Sequence, residues 1–126
     1  VVRGQHAVQR LAEAMKLVGV LALETFVTSD GKLLFNEIAP RPHNSFHWTI
    51  EGCATSQFTQ LARCVAGMPL GSTHSYGQWQ MDNLLGEDMP GLERLAAVSG
   101  LHLHLYGKAI AKTGRKMGHM NRLITH

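Results

Sequence analysis

At 126 residues and 13.8 kDa, with 44% hydrophobic residues, the chain has the size of one small globular domain and enough apolar side chain for a core. No stretch approaches the roughly 20 apolar residues of a membrane span, and the opening VVRGQHAVQRLAEAMK lacks the apolar middle of a signal peptide, so a soluble, cytoplasmic protein with no membrane partner is expected. The net charge of +3 is modest but uneven: KAIAKTGRKMGHMNR carries Lys108, Lys112, Arg115, Lys116 and Arg122 with no acid, which suits an anionic ligand, and its lack of interleaved aromatics argues against a nucleic-acid surface.

In chain order, Val8, Leu11, Ala12 and Met15 recur at helical spacing and predict a helix from about His6 to Leu17, with Gly19 placed to end it. VLALETFV and KLLFNEI flank TSDG, whose Asp30-Gly31 pair predicts a tight β-hairpin. After a stretch broken by Pro40 and Pro42, Phe58, Leu61, Ala62 and Val65 share a helical face, with Thr55 as N-cap and Gly67 as stop. WQMDNLLG reads as a strand, GLERLAAVSG as a short helix after Pro90, LHLHLYGKA as an alternating strand, and TGRKMGHMNRLI as a turn into a last strand. The pattern is α+β without internal repeats. Cys53 and Cys64 show no CxxC spacing and read as reduced, packed thiols. The chain opens on Val1 and runs straight into a helical pattern, as expected of a piece of a longer protein.

The hairpin carries the first chemistry. With Asp30 and Gly31 as the two loop residues, Ser29 faces Lys32 and Glu24 falls directly opposite Glu37, Cβ atoms about 5 Å apart, where like charges repel. Ala22, Phe26 and Phe35 on that face are apolar, which makes two unpartnered carboxylates costlier. A hard divalent cation that keeps substrate phosphates among its ligands relieves the conflict; a three-residue loop would instead shift the register and send one Glu to solvent. The prolines of NEIAPRPHNSFHW then hold the chain extended as it leaves Glu37 and present Arg41, His43 and Asn44, a set of donors for a planar oxyanion, or else the polar residues of a surface loop capping the next helix.

Taken together, GVLALETFVTSDGKLLFNEIAPRPHNSFHWTIEGCATSQF, NLLG and LHLYGKAIAKTGRKMGH resemble the N5-carboxyaminoimidazole ribonucleotide synthetase family, ATP-grasp enzymes of purine biosynthesis. The resemblance implies the C-terminal half of an ATP-grasp domain over residues 1–72, an antiparallel sheet with helices, followed by a small, incomplete β-rich C-terminal domain over 73–126. It implies carboxylation of aminoimidazole ribonucleotide with bicarbonate, through carboxyphosphate. Glu24 and Glu37 would hold Mg²⁺, with Mn²⁺ as the alternative ion, on the phosphates of ATP. Arg41, His43 and Asn44 would bind bicarbonate and carboxyphosphate, and Lys108, Arg115 and Lys116 the ribonucleotide's phosphate. The family's N-terminal domain, its lid and its C-terminal end would be the missing partners of this chain, which alone would be inactive, in an enzyme that is usually a homodimer.

Two residues depart from the family pattern: Phe46 stands where a glycine follows HNS, and Asp82 replaces an apolar residue before NLLG. The readings that compete are another ATP-grasp carboxylate-amine ligase or biotin-carboxylase-like protein, against which GRKMGH argues, and an inactive interaction fragment with Phe46 blocking the site. His102 and His104, two apart on one strand face, are expected to be a solvated face rather than metal ligands. His119 reads equally as a phosphate contact or a structural hydrogen bond, and Trp48, Tyr106 and the methionines as packing.

Overall fold

The computed structural model describes residues 2–125. They fall into two compact units, 2–46 with 57–71 and 47–56 with 72–125.

In the first unit, α1 (Val2–Ala14) begins earlier than its apolar spacing alone suggests and is closed by Lys16 rather than Gly19. The Lys16 N–H donates to the Glu13 carbonyl (3.0 Å) and the Leu17 N–H to that of Ala12 (2.9 Å), the two bonds of a Schellman cap, with Lys16 left-handed at φ +48°. The helix α3 (Gln57–Val65) ends in the same cap, but there Gly67 takes the left-handed position at φ +63°. It starts at Gln57, two residues beyond an N-cap at Thr55.

Strands β1 (Ala22–Val27) and β2 (Leu33–Ala39) form the expected antiparallel hairpin, but not through a two-residue turn. The Thr28 N–H donates to the Lys32 carbonyl and the Gly31 N–H to that of Thr28, both at 2.9 Å, which makes Ser29-Asp30-Gly31 a three-residue loop with Gly31 at φ +77°. Lys32 and Thr28 bond the Asp30 carboxylate and hold its pKa below the usual value. The shifted register pairs Phe26 with Leu34 and Thr25 with Phe35, and a β-bulge at Asn36 then restores Glu24 opposite Glu37. The bulge also corrects the face: Phe35 lies with Thr25, and it is Leu34 that joins Phe26 on the side of the carboxylates.

The second unit is a three-stranded antiparallel sheet in the order β3 (Gln78–Leu85), β5 (Lys116–Thr125), β4 (Leu101–Leu105). The last strand is thus central. Strand β4 stops at Leu105, short of the alternating run, and 106–115 is a loop. A 3-10 turn (Gly86–Gly91) leads to a helix α4 confined to Leu92–Ala96. A one-turn helix, α2 (Thr49–Gly52), carries Gly52 between the rings of Trp48 and Trp79, where a Cβ would stand 2.6 and 2.8 Å from ring carbons. Asp82 accepts from Gln80 Nε2 at 2.9 and 3.1 Å, so its inward carboxylate is partnered.

One face of this sheet is polar inside. Glu51 of α2 accepts from Asn121 Nδ2 (2.6 Å) and lies 2.7 Å from His104 Nε2; the His104 ring stacks on His119 at 4.5 Å, and His119 Nδ1 is 2.9 Å from the Tyr106 hydroxyl. His104 is therefore no solvated residue, although His102 is exposed. His119 makes the structural hydrogen bond of its two readings.

The cap and the buried imidazole can each be tested by unfolding. Lys16→Gly relieves a left-handed non-glycine residue and is expected to raise unfolding free energy by about 0.5–1 kcal/mol in urea titration, whereas Gly67→Lys lowers it by a similar amount. Burial, then the fields of His104 and His47, push the pKa of His119 down to about 4 from 6.5, so the folded state keeps the ring neutral while the unfolded chain protonates it. Its contribution is full above about pH 6.5 and is lost as pH falls toward 4, at up to about 1.4 kcal/mol per pH unit. Urea midpoints at pH 7 and 5 should show this slope, and His119→Gln should flatten it.

Candidate active site

The site of the first unit is built on the base of the hairpin. Antiparallel pairing puts Glu24 and Glu37 side by side, and the chain then turns back through Pro40 and Pro42, neither of which can donate to the sheet. Arg41 returns toward Glu37, with Nη2 at 3.5 Å from Oε1, while Nη1 donates to the Pro42 carbonyl at 3.1 Å. His43 places Nε2 3.5 Å from Glu24 Oε1, and Asn44 opens the 3-10 turn Asn44–Phe46 beside it. Glu24, Glu37, Arg41 and His43 are thus brought together within one unit. Glu24, Glu37 and His43 each offer a ligand atom, all within 4.8 Å of one another.

The tautomer of His43 decides what it can do. The Ser45 N–H lies 3.3 Å from His43 Nδ1 and can only donate, so Nδ1 keeps its lone pair and a neutral ring carries its proton on Nε2, facing Glu24. The Ser45 hydroxyl lies 2.8 Å from the same Nδ1 and 3.2 Å from Glu24 Oε1, and its single proton goes to one of these two acceptors at a time. In this state His43 is a hydrogen-bond donor toward the site rather than a metal ligand. The two carboxylates, 38% and 48% exposed, are the oxygen donors that fit a hard divalent cation such as Mg²⁺.

The second unit carries the basic loop. Lys108 stands 5.6 Å over the Tyr106 ring and its ammonium donates to the Lys116 carbonyl at 2.6 Å; Arg115 Nη1 donates to the Ile110 carbonyl at 3.1 Å. Both cations hold this loop by its own backbone and remain exposed, as does Lys116. Two features anchor the loop. Glu87 accepts from the Gly114 N–H at 2.8 Å, and Gly86 lies so close that a Cβ there would stand 2.1 Å from the Lys112 carbonyl oxygen. The glycine of NLLG is therefore a contact surface for the loop that bears the cations.

Sequence reasoning missed three members of the first site. Asn36, the bulge residue, donates to Glu24 Oε2 at 3.3 Å. Ser45 stands between His43 and Glu24, its hydroxyl within hydrogen-bond distance of both His43 Nδ1 and Glu24 Oε1. Gln57 bonds the backbone of His43. The short spacing of Ser45 from His43 was a usable signal; nothing local marks Gln57, whose partner lies fourteen residues away.

The chain is similar to known proteins over most of its length. The ATP-grasp domain matches residues 2–58, and the phosphoribosylaminoimidazole carboxylase C-terminal domain matches 80–125. N5-carboxyaminoimidazole ribonucleotide synthase of Brucella melitensis biotype 1 is 50% identical over 117 residues, which cover 93% of this chain and 32% of that protein. The crystal structure of the synthetase from Thermus thermophilus superposes with a TM-score of 0.86 at 51% identity, over 96% of this chain and 33% of that one. The synthase of Aspergillus clavatus in complex with ADP and 5-aminoimidazole ribonucleotide gives a TM-score of 0.76 at 36% identity, covering 83% and 30%. The chain spans about a third of the length of these relatives. No helix among the described residues is long and apolar enough to cross a membrane. The chain thus carries parts of an ATP-grasp domain and of a phosphoribosylaminoimidazole carboxylase C-terminal domain, and nearly all of it is similar, at about half identity and with the same α+β fold, to one third of the N5-carboxyaminoimidazole ribonucleotide synthases.

Proposed function

We propose that this chain is part of an ATP-dependent ligase that carboxylates the exocyclic amine of aminoimidazole ribonucleotide with bicarbonate, in cytoplasmic purine biosynthesis. The observation that carries the reading is the facing pair Glu24 and Glu37 with Arg41 and His43 beside it, in a chain half identical to such synthases. In this reading residues 1–72 close an ATP-grasp domain and 73–126 belong to the small C-terminal domain.

Glu24 and Glu37 would hold Mg²⁺, or Mn²⁺, which when bound neutralises the charge of the ATP phosphates and aligns them. Arg41 swings its guanidinium from Glu37 to two oxygens of bicarbonate, and His43 Nε2–H and the Asn44 amide donate to the same anion. An oxygen of the bicarbonate so held attacks the γ-phosphorus in line, giving carboxyphosphate and ADP. The amine then bonds to the carboxyl carbon, directly or after release of CO₂, and inorganic phosphate leaves. Lys108, Arg115 and Lys116 hold the phosphate of the ribonucleotide, for which their exposed ammonium and guanidinium groups suit. Water must be excluded throughout, because carboxyphosphate hydrolyses readily. That task falls to the N-terminal and lid segments of the full enzyme, with a homodimer as its assembly. Exposed Phe26, Val27, Leu34 and Phe35 on the two sides of the hairpin support a covering partner there.

Phosphate release from ATP by the full-length enzyme should require both aminoimidazole ribonucleotide and bicarbonate; release that ignores both overturns the reading. Glu37→Gln should lower turnover by about 10²–10³-fold through lost cation binding. Lys108→Ala should raise KM for the ribonucleotide about tenfold or more, the loss of one charge-assisted bond, while the KM for ATP stays put. An unchanged ribonucleotide KM would remove the basic loop from the substrate site.

A further inference from the structure

Helix α3 presents two glutamines that do the same thing to two different targets. Gln57 Oε1 accepts from the His43 N–H at 2.8 Å, and its Nε2 donates to the His43 carbonyl at 2.9 Å. One turn later Gln60 Oε1 accepts from the Gly71 N–H at 2.9 Å, and its Nε2 donates to the Gly71 carbonyl at 2.7 Å. In each case a side-chain amide satisfies both backbone groups of one residue, as a neighbouring strand would. Gly71 lies in the connection after α3, whereas His43 belongs to the carboxylate site.

His43 needs such an anchor. Pro40 and Pro42 remove the backbone donors that could tie the preceding segment to the sheet, so the segment 40–42 is fixed mainly by what lies at its two ends. One end is the last pair of the hairpin, Ala22 with Ala39; the other is His43. The ring of His43 is only 11% exposed and is braced by Ser45 and Glu24, but its backbone is set by Gln57 and by the turn bond from the Phe46 N–H at 3.0 Å.

We propose that Gln57 is a positioning residue for carboxylation: its two bonds to His43 hold the imidazole Nε2–H facing Glu24 and fix the far end of the proline-bounded segment that aims Arg41 at Glu37. The donors for bicarbonate then stand in place before the anion arrives, which removes the cost of assembling them during the reaction. The inference rests on the functional reading above for its substrate, but the placement of His43 by Gln57 is a claim about this chain alone.

Gln60 supplies the matched control. In the full-length enzyme, Gln57→Ala and the isosteric Gln57→Glu, which turns the donor toward the His43 carbonyl into an acceptor, should each lower kcat about 10–100-fold and raise KM for bicarbonate. The KM for ATP should stay within about twofold. Gln60→Ala, which removes the same clamp from Gly71, should lower the melting temperature comparably yet leave kcat within about twofold. Equal losses of kcat in the Gln57 and Gln60 variants at equal loss of melting temperature overturn the proposal, as does a Gln57→Ala enzyme with wild-type kcat and bicarbonate KM. If the wild-type enzyme shows no dependence on bicarbonate, the functional reading falls. The imidazole NMR signals of His43 then decide the positioning claim: they should move in Gln57→Ala and not in Gln60→Ala, and unmoved signals in Gln57→Ala overturn it.

Discussion

Two carboxylates set directly opposite each other on a hairpin are the constraint around which the first unit is arranged. Antiparallel geometry brings Glu24 and Glu37 close, their charges repel, and no backbone rearrangement short of a register slip can part them. The residues nearby answer that repulsion: Arg41 beside Glu37, and Asn36, Ser45 and the His43 Nε2–H beside Glu24. The answer is incomplete. Contacts of 3.2 to 3.5 Å stabilise the pair weakly and leave lone pairs open to a stronger partner.

Glu51, in the other unit, shows what a carboxylate looks like when it is meant to stay as it is. Its side chain is 15% exposed, and both oxygens are taken at short range, by His104 at 2.7 Å and Asn121 at 2.6 Å. A charge removed from water has to be satisfied from within, and the polar sheet face supplies that. Glu24 and Glu37 are half exposed and loosely held. The same residue type thus serves scaffold in one place and ligand in the other, and the lengths of the hydrogen bonds tell the two apart.

Much of this was legible in the sequence where a local rule governs. Helical spacing located α1 and α3, Gly67 marked the end of α3, and alternation located β4 as far as Leu105. The facing of Glu24 and Glu37 was also legible, but through a turn that is not there: a three-residue loop and a bulge at Asn36 offset each other. A strand pattern cannot reveal that, because the bulge changes which residues share a face without changing their order. His104 looked like a surface residue because its partner, Glu51, is fifty-three positions away. Gln57 and Gln60 lie off the apolar face of α3 that the spacing picks out, and their bonds to backbone depend on loops whose path no local pattern fixes.

The bulge at Asn36 has a further effect on how the hairpin can change. Because it takes up one residue of mismatch between the tip and the base, the tip from Thr25 to Phe35 and the base at Glu24 and Glu37 keep separate registers. The loop 29–31 is accordingly insulated from the carboxylates: a residue gained or lost at the tip can be traded against the bulge instead of being passed down the strands. Asn36 acts as a slip joint, and the hairpin can vary at its end while its chemistry stays fixed.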